Sequence, residues 1–210
     1  NIFMKVFKIV RVGFALFKNK MQILYNIVLN LKKWLFMNII TKQLILPEGE
    51  FDVKVQLFTE ADRISLASIY KNWRNLCTDL QGINARGINL PEGLSEGAFC
   101  LEMNTVRVDS SINGANSSFD AYDLNRNKRI QIKACSVIPD LTSFGPSSVW
   151  DEIYFCDFCR QKSWDGSFDI YLINNDDIYN HSVNATQTLR DQQKLGRRPR
   201  FSIYKGIIPI

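Results

Sequence analysis

The chain has 210 residues, 46% of them hydrophobic and 22% charged, and its formal net charge at pH 7 is +5. These values are typical of a soluble globular protein with one domain of ordinary core size. The net charge does not indicate a nucleic-acid partner, because seven of the 26 basic residues lie in residues 1–36, which contain no Asp or Glu. The rest of the chain has 19 basic and 21 acidic residues, so only a local patch could indicate DNA binding.

Residues 1–36 are apolar and basic throughout. No apolar run reaches 18 residues without a Lys or Arg, so the segment does not predict a transmembrane helix. It also lacks the clean apolar centre and cleavage site of a signal peptide. Two interpretations stay open: a basic amphipathic helix, or upstream sequence translated in frame, since Met37 begins a stretch that looks like a natural protein start. We expect the segment not to be part of the native protein, and residues 37–210 to form a single domain.

The five cysteines do not predict a disulfide framework or a zinc site. Cys156 and Cys159 form a CxxC pair, but no second pair follows at ligand spacing, and the chain has one histidine. We therefore expect reduced thiols in a cytoplasmic protein. His181 lies in a polar stretch. It is the single histidine of the sequence, which excludes nucleases that depend on two or more histidines.

Residues 51–58 alternate between apolar and polar side chains, which predicts a strand that could lie at a sheet edge. Residues 59–62 are typical of an N-cap with an acidic first turn. Apolar side chains at helical spacing then predict a helix over residues 60–80, ending near Gly82. Its aromatic stripe favours packing in the core or in a dimer over base stacking.

A second helix is predicted after Pro91, a residue that suits a first helical turn. Leu94, Ala98 and Leu101 would form its buried face. Its acids are Glu92, Glu96 and Glu102. Arg86, in the Gly-containing loop ahead of the helix, is a candidate for contact with DNA.

Residues 117–137 predict a β-hairpin. Residues 125–128 are all polar and form the turn. Ile130, Ile132 and Ala134 alternate with polar partners, so Gln131 and Lys133 lie on one face of the second strand.

The polar groups of this hairpin converge at one edge. Asp120 stands near the end of the first strand, opposite Gln131 and Lys133. A carboxylate, an amide oxygen and an ammonium group can together hold a divalent cation and act on a water beside it. Asp123 is a second candidate ligand, although its parity along the strand differs from that of Asp120. The alternative is an ordinary surface hairpin with a solvated lysine.

After the hairpin, residues 141–150 read as a loop rich in Ser, Gly and Pro. The hydroxyl groups of Ser143, Ser147 and Ser148 could hold phosphates. Residues 153–158 and 168–173 predict buried strands in antiparallel or mixed pairing, and residues 187–195 predict a short polar helix.

Three arginines, Arg197, Arg198 and Arg200, form the densest basic cluster outside residues 1–36. A neighbouring Gly and Pro indicate a short rigid loop, and residues 201–208 predict a strand after it. Arginine can bind guanine or phosphate through two parallel hydrogen bonds. We therefore expect these three side chains to contact DNA.

Asp120 followed by Gln131-Ile132-Lys133 resembles the D…(D/E)xK signature of the PD-(D/E)XK nuclease superfamily. Phe119 stands where the signature often has Pro, and Gln131 where it usually has an acid, so another carboxylate should compensate. In this superfamily a glutamate on the preceding helix often reaches the metal, a role that falls to Glu96. The phrases GINLPEGLSE, SFGP and WDEIYF further resemble type II restriction endonucleases that cut within GCNGC. The resemblance covers residues 37–210.

This resemblance implies an α/β (α+β) fold, a restriction-endonuclease-like core with a mixed β-sheet flanked by helices. It implies Mg²⁺-dependent cleavage of double-stranded DNA at a short palindromic site by a homodimer, with a cognate DNA methyltransferase as genetic partner and no membrane role. Two alternatives are a mismatch or junction nuclease on the same core and an inactive sequence-specific DNA-binding protein. The expected catalytic residues are Asp120, Gln131, Lys133 and Glu96, the metal ligands Asp120, Gln131 and Glu96, and the DNA-binding residues Arg197, Arg198, Arg200, Arg86 and Ser143.

Overall fold

The computed structural model describes residues 38–208, so the expectation for residues 1–36 lies outside the described part. A seven-stranded mixed sheet is the centre of this part, and its strands lie in the spatial order β1-β2-β3-β4-β5-β7-β8. The strands are β1 Asn38–Leu46, β2 Gly49–Leu57, β3 Val106–Arg107, β4 Ala121–Asp123, β5 Lys128–Cys135, β7 Glu152–Asp157 and β8 Asp169–Ile173.

Neighbouring strands of this sheet run antiparallel except β5 and β7, which pair in parallel. The predicted hairpin is confirmed as β4 and β5, and the predicted strands at residues 51–58, 153–158 and 168–173 are confirmed as β2, β7 and β8. The edge position expected for β2 is wrong, because β1 covers it. The first strand of the β1–β2 hairpin, β1, was not predicted from the sequence.

Two helices cover one face of the sheet: α1 Arg63–Gly82 and α2 Glu92–Met103. A capping box between Thr59 and Asp62 precedes α1, as the sequence predicted, and a short 3-10 turn leads into the helix. Tyr70 and Trp73 of the aromatic stripe are buried in the core, where they pack beside the sheet. The stripe is therefore a packing feature of the domain itself.

The alternation of side chains along β7 fills two core clusters. Tyr154 and Cys156 face α1 and α2, whereas Ile153 and Phe155 face the opposite side. Because successive residues of a strand point to opposite faces, one central strand stabilises both layers. Each large apolar side chain buried in this way contributes roughly 1.5–3 kcal/mol. A third cluster lies between β1, β2, β3 and β4.

The C-terminal part of the chain covers the second face. It contains α3 Asn175–Tyr179, α4 Leu189–Lys194 and α5 Ile203–Gly206, together with a small sheet of β6 Thr142–Ser143 and β9 Arg200–Phe201. The predicted polar helix is confirmed as α4. The strand predicted for residues 201–208 is wrong beyond Phe201.

The physical reason for that error is a buried carboxylate from a distant part of the chain. Asp140 accepts hydrogen bonds from the backbone N–H groups of Ile203 at 3.0 Å and Tyr204 at 3.1 Å. Ser202 accepts from the N–H of Lys205 at 3.1 Å and caps the first turn. These contacts satisfy the N–H groups that begin α5, which an apolar alternating pattern does not reveal.

All five cysteines are buried free thiols. None of the helices in residues 38–208 has the length and hydropathy that crossing a membrane requires.

Candidate active site

Asp120 immediately precedes β4, and its backbone N–H donates to the carbonyl of Ile130 at 2.9 Å. The β4–β5 register pairs Ala121 with Ile130, so Asp120 lies opposite Gln131. Its Oδ2 accepts hydrogen bonds from the backbone N–H of Ile132 at 2.7 Å and from the side-chain amide of Gln131. The hairpin therefore brings the expected acid and amide into direct contact.

Lys133 follows two residues after Gln131 on the same strand and the same face. Its Nζ lies 5.8 Å from the centre of the Phe144 ring, within the range of a cation–π contact. Its positive charge acts on both Asp120 and Glu96 and lowers the pKa of each carboxyl group. The ammonium group therefore belongs to the same cluster as the two acids.

Glu96 lies in the middle of α2 and is 9% exposed, although it is charged. Its Oε2 accepts a hydrogen bond from Nε of Arg107 at 2.6 Å. Gly97 beside it allows the helix to approach Phe58, because a Cβ on Gly97 would lie 2.7 Å from that ring. This close approach holds α2 against the end of β2, and the pair with Arg107 joins Glu96 to β3, the strand next to β4.

The two acids have raised pKa values because the protein buries them. Burial raises the pKa of Asp120 to about 7, the charge of Lys133 opposes the shift, and the charge of Glu96 reinforces it. Burial likewise raises the pKa of Glu96, while its pair with Arg107 lowers it. Clustered carboxyl groups with raised pKa values are typical of catalytic or metal sites.

Asp123, the second candidate ligand, does not lie in this cluster. Its Oδ1 accepts from the backbone N–H groups of Asn125 and Arg126, and its Oδ2 pairs with the Arg126 side chain at 2.6 Å. Although burial opposes the shift, these hydrogen bonds lower the pKa of Asp123. The residue therefore holds the hairpin turn.

Arg107 belongs to the site, and the sequence did not predict it. It lies on β3 next to β4, and its guanidinium contacts Glu96, Gln56 and Asp109. A single Arg in a short apolar strand is a weak signal, because its partners come from distant parts of the chain.

The arginine cluster is joined to the loop that follows the hairpin. Ser143 pairs with Arg200 between β6 and β9, and the N–H of Phe144 donates to the carbonyl of Pro199 at 3.1 Å. A Cβ on Gly145 would lie 3.5 Å from Nη2 of Arg198, so this guanidinium packs beside the loop. The segment that carries the arginines is therefore attached to the element whose Phe144 contacts Lys133.

The expected DNA-binding side chains differ in their surroundings. Arg197, Arg198 and Arg200 are exposed, and none of them forms an ion pair within residues 38–208. The hydroxyl of Ser143 is buried without a hydrogen-bond partner in the described residues. Arg86 is exposed in the loop between α1 and α2, and no hydrogen bond of the described chain joins it to the others.

The site offers three oxygen atoms that could bind a cation. Oδ1 of Asp120, Oε1 of Gln131 and Oε1 of Glu96 accept no hydrogen bond from any described residue. Within the described range, no group of three or more His, Cys, Asp or Glu side chains is arranged as a metal site. Two carboxylates and a neutral amide oxygen therefore form the candidate donor set, and oxygen donors of this kind suit Mg²⁺ or Ca²⁺.

Comparison with known proteins identifies the family. A sequence model described as Bsp6I restriction endonuclease matches residues 58–210. The chain is also 39% identical over 142 residues to "Type II restriction enzyme Bsp6I" of Bacillus sp. (strain RFL6), an overlap of 66% of this chain and 76% of that protein. The chain belongs to the Bsp6I restriction endonuclease family. No solved structure matches it.

Membership in this family gives the activity in general terms. The protein is a type II restriction enzyme, a hydrolase that binds DNA and cuts it at specific sites. Restriction endonucleases of this type use a divalent metal ion. The matched region contains the hairpin, α2 and the arginine segment, and it begins inside the described domain, at Phe58.

Proposed function

We propose that the enzyme hydrolyses double-stranded DNA with Mg²⁺, using the end of the β4–β5 hairpin as its catalytic centre. The observation that carries this proposal is the contact between Asp120 and Gln131, with Lys133 and Glu96 beside them. This arrangement follows the D…(D/E)xK signature, with an amide oxygen in place of one carboxylate. Asp120, Gln131 and Glu96 would hold the cation through their unengaged oxygen atoms.

Bound Mg²⁺ supplies positive charge that neutralises a phosphate oxygen and lowers the pKa of a bound water. The protein side chains do the rest of the work. Lys133 orients the attacking water and stabilises the negative charge that develops on the phosphate. Asp120 stays ionised when the cation offsets the burial that otherwise raises its pKa.

The neutral Gln131 lowers the number of negative charges at the site. Glu96 supplies the compensating carboxylate, since its charge acts directly on Asp120. Its pairing with Arg107 uses one carboxylate oxygen and leaves the other for the cation. The donor set then contains two carboxylates, as a PD-(D/E)XK site with an acid at position 131 would.

Recognition of DNA belongs to the arginine segment in this proposal. Arg197, Arg198 and Arg200 are exposed cations free of ion pairs in the described chain, so they can bind phosphate or guanine without first losing a partner. Ser143 is joined to Arg200 by the β6–β9 pairing, and its buried hydroxyl would contact a phosphate beside them only after it becomes exposed. Arg86 would contact DNA from a separate loop.

The proposed target is a short palindrome, GCNGC, which rests on the resemblance of the chain to restriction endonucleases that cut within that sequence. A homodimer would match the two-fold symmetry of such a site. A cognate DNA methyltransferase would protect the DNA of the host. The contacts within the β4–β5 hairpin do not depend on a second protomer or on the methyltransferase.

Incubation of the purified protein with phage DNA tests the proposal. With Mg²⁺, discrete fragments are expected whose ends map to GCNGC, and EDTA should prevent cutting. The variant Asp120→Ala should shift the same DNA in a gel in the presence of Ca²⁺ without cutting it. Discrete fragments that end elsewhere would refute the proposed target only, whereas full activity of Asp120→Ala would refute the catalytic centre.

A further inference from the structure

Four polar side chains form a network next to the hairpin: the buried Gln56 and Glu96, the largely buried Arg107 and the exposed Asp109. Nε of Arg107 donates to Oε2 of Glu96 at 2.6 Å, and Nη1 donates to Oε1 of Gln56 and to Oδ2 of Asp109, both at 3.0 Å. Nε2 of Gln56 closes the network by donating to the same oxygen of Asp109 at 2.7 Å. The network joins β2, α2, β3 and the residue two positions after Arg107.

The geometry of the guanidinium restricts where the Glu96 carboxylate can lie. Arginine presents its donors in a rigid plane, so two contacts at Nη1 fix the direction in which Nε points. The third contact, at Nε, then holds one oxygen of Glu96. The second oxygen is left without a hydrogen bond among residues 38–208, and the segment that carries Arg107 is joined to Asp120, whose carbonyl accepts from the N–H of Val108 at 2.9 Å.

We propose that Arg107 is a positioning residue that directs the free oxygen of Glu96 to the catalytic cation, with Gln56 and Asp109 holding the guanidinium in place. This inference rests on the proposed function, because it takes Glu96 as a metal ligand. Arg107 itself touches neither the cation nor the DNA. Its side chain is only 16% exposed, and its Nε and Nη1 groups are engaged within the protein.

Two other roles for this arginine are less consistent with the contacts. A phosphate-binding arginine presents most of its donors to solvent, whereas three of the five N–H groups of Arg107, those of Nε and Nη1, are engaged within the protein. An arginine that only balances the charge of Glu96 would not need Gln56, a neutral and buried partner. The contacts with Gln56 and Asp109 fix the orientation of the guanidinium. A fixed guanidinium in turn orients Glu96, as the partner of a metal ligand must.

The test measures the Mg²⁺ requirement of the full-length enzyme. Arg107→Met should raise the Mg²⁺ concentration for half-maximal cleavage about 10–100-fold, the usual loss when a partner of a metal ligand is removed. Calorimetric titration of Ca²⁺ into the enzyme–DNA complex should show a comparable loss of affinity. Arg107→Lys should recover part of it, because an ammonium can still reach Glu96 but cannot hold Gln56 and Asp109 in the same plane.

Arg129→Met is the matched control. Arg129 is also a buried strand arginine, 11% exposed, and it pairs with Asp151 at 2.8 Å without contacting a proposed site residue. Its removal should lower the melting temperature and leave the Mg²⁺ requirement unchanged. A general loss of stability therefore cannot imitate the expected result. If Arg107→Met does not fold, the comparison of Arg107→Lys with Arg129→Lys decides.

The outcomes separate this inference from the proposed function. If Asp120→Ala cuts normally, the catalytic centre itself is wrong. If Asp120→Ala is inactive and Glu96→Gln raises the Mg²⁺ requirement, but the Arg107 variants leave it unchanged, only the positioning role is refuted. A lower Mg²⁺ requirement in Arg107→Met would also refute it, because the arginine would then compete with the cation for Glu96.

Discussion

The hairpin end and the arginine segment carry opposite kinds of charge in opposite environments. At the hairpin end, Glu96 is buried and Asp120 is partly buried, and their side chains accept hydrogen bonds from β3 and β5. In the arginine segment, Arg197, Arg198 and Arg200 are exposed and form no ion pair within the described residues. The segment is fixed instead through its backbone, by β6–β9 pairing.

This difference reflects the different structural requirements of binding a metal ion and of contacting DNA. A cation site needs ligands held within a fraction of an ångström, which a buried network supplies at the expense of desolvated carboxylates. Contact with DNA needs exposed donors, and their location matters more than their conformation before binding. Substitutions in the first region should therefore alter chemistry, and substitutions in the second should alter affinity.

The sharpest test of this contrast removes a charge from the hairpin end. Asp120→Ala and Lys133→Ala should each reduce cleavage by at least about 100-fold, because the reaction loses a metal ligand or the cation that stabilises the phosphate. DNA affinity in Ca²⁺, measured by gel shift, should change little. Near-normal cleavage by either variant would show that the chemistry lies elsewhere in the molecule.

Arg198→Ala should have the reverse effect. Loss of an arginine that contacts a guanine weakens binding by roughly 1–3 kcal/mol and relaxes sequence choice at one position. Fluorescence anisotropy with duplexes that differ by one base pair measures both effects, and Arg190→Ala is an exposed control outside the cluster. Equal affinities of Arg198→Ala and the parent enzyme for the target would exclude this arginine as a recognition residue.

Asp140 links the two regions to the stability of the fold. Its carboxylate accepts hydrogen bonds from Thr142 at 2.7 Å, Ser202, and the backbone of Ile203 and Tyr204. Asp140→Ala leaves these buried donors unsatisfied and should cost about 1–3 kcal/mol of unfolding free energy for each donor that finds no water. Urea unfolding measures the loss, and Asp140→Asn, which keeps one acceptor, should lose less.

The last expected effect concerns pH. Burial raises the pKa of Asp120 to about 7, so the folded protein binds this proton more tightly than the unfolded chain does. The resulting stability is complete below the pKa of the unfolded chain, near 3.9, and is lost as the pH rises through about 7. Asp120→Asn stays neutral, and therefore should melt higher than the parent at pH 8 in EDTA.

For a domain of this size, each kcal/mol of unfolding free energy changes the melting temperature by roughly 2–4 °C. The difference between Asp120→Asn and the parent should vanish near pH 4, where both side chains are neutral. Added Mg²⁺ should stabilise the parent enzyme alone at pH 8. A lower melting temperature for Asp120→Asn at pH 8 would mean that the ionised carboxylate stabilises the fold even without a cation.

The sequence predicted those parts of the structure that depend on local periodicity. The period of two around Ile130 and Ile132 gave the hairpin and its common face for Gln131 and Lys133, and helical spacing gave α1 and α2. The assignment of these side chains to catalysis stays a prediction. The pattern could not give β1 as the edge strand, since pairing partners depend on the whole sheet.

The misses share one physical cause, which is contact between distant parts of the chain. Arg107 lies 51 residues from Gln56, and Asp140 lies 63 residues from Ile203, the first residue of α5. Hydrogen bonds of this kind produce no periodic pattern in the sequence. The residues that form them are visible only as isolated polar residues among apolar ones, as Arg107 and Asp140 are.

The position of the Phe144 ring bears on how the enzyme would discriminate between DNA targets. Its ring stacks on Phe201 with the ring centres 4.9 Å apart, beside the arginines, and the ammonium of Lys133 lies 5.8 Å from the ring centre. In the proposed mechanism, any movement of β9 when the arginines bind DNA would therefore also move the ring beside that ammonium. Discrimination between targets would then extend from binding to the bond-breaking step.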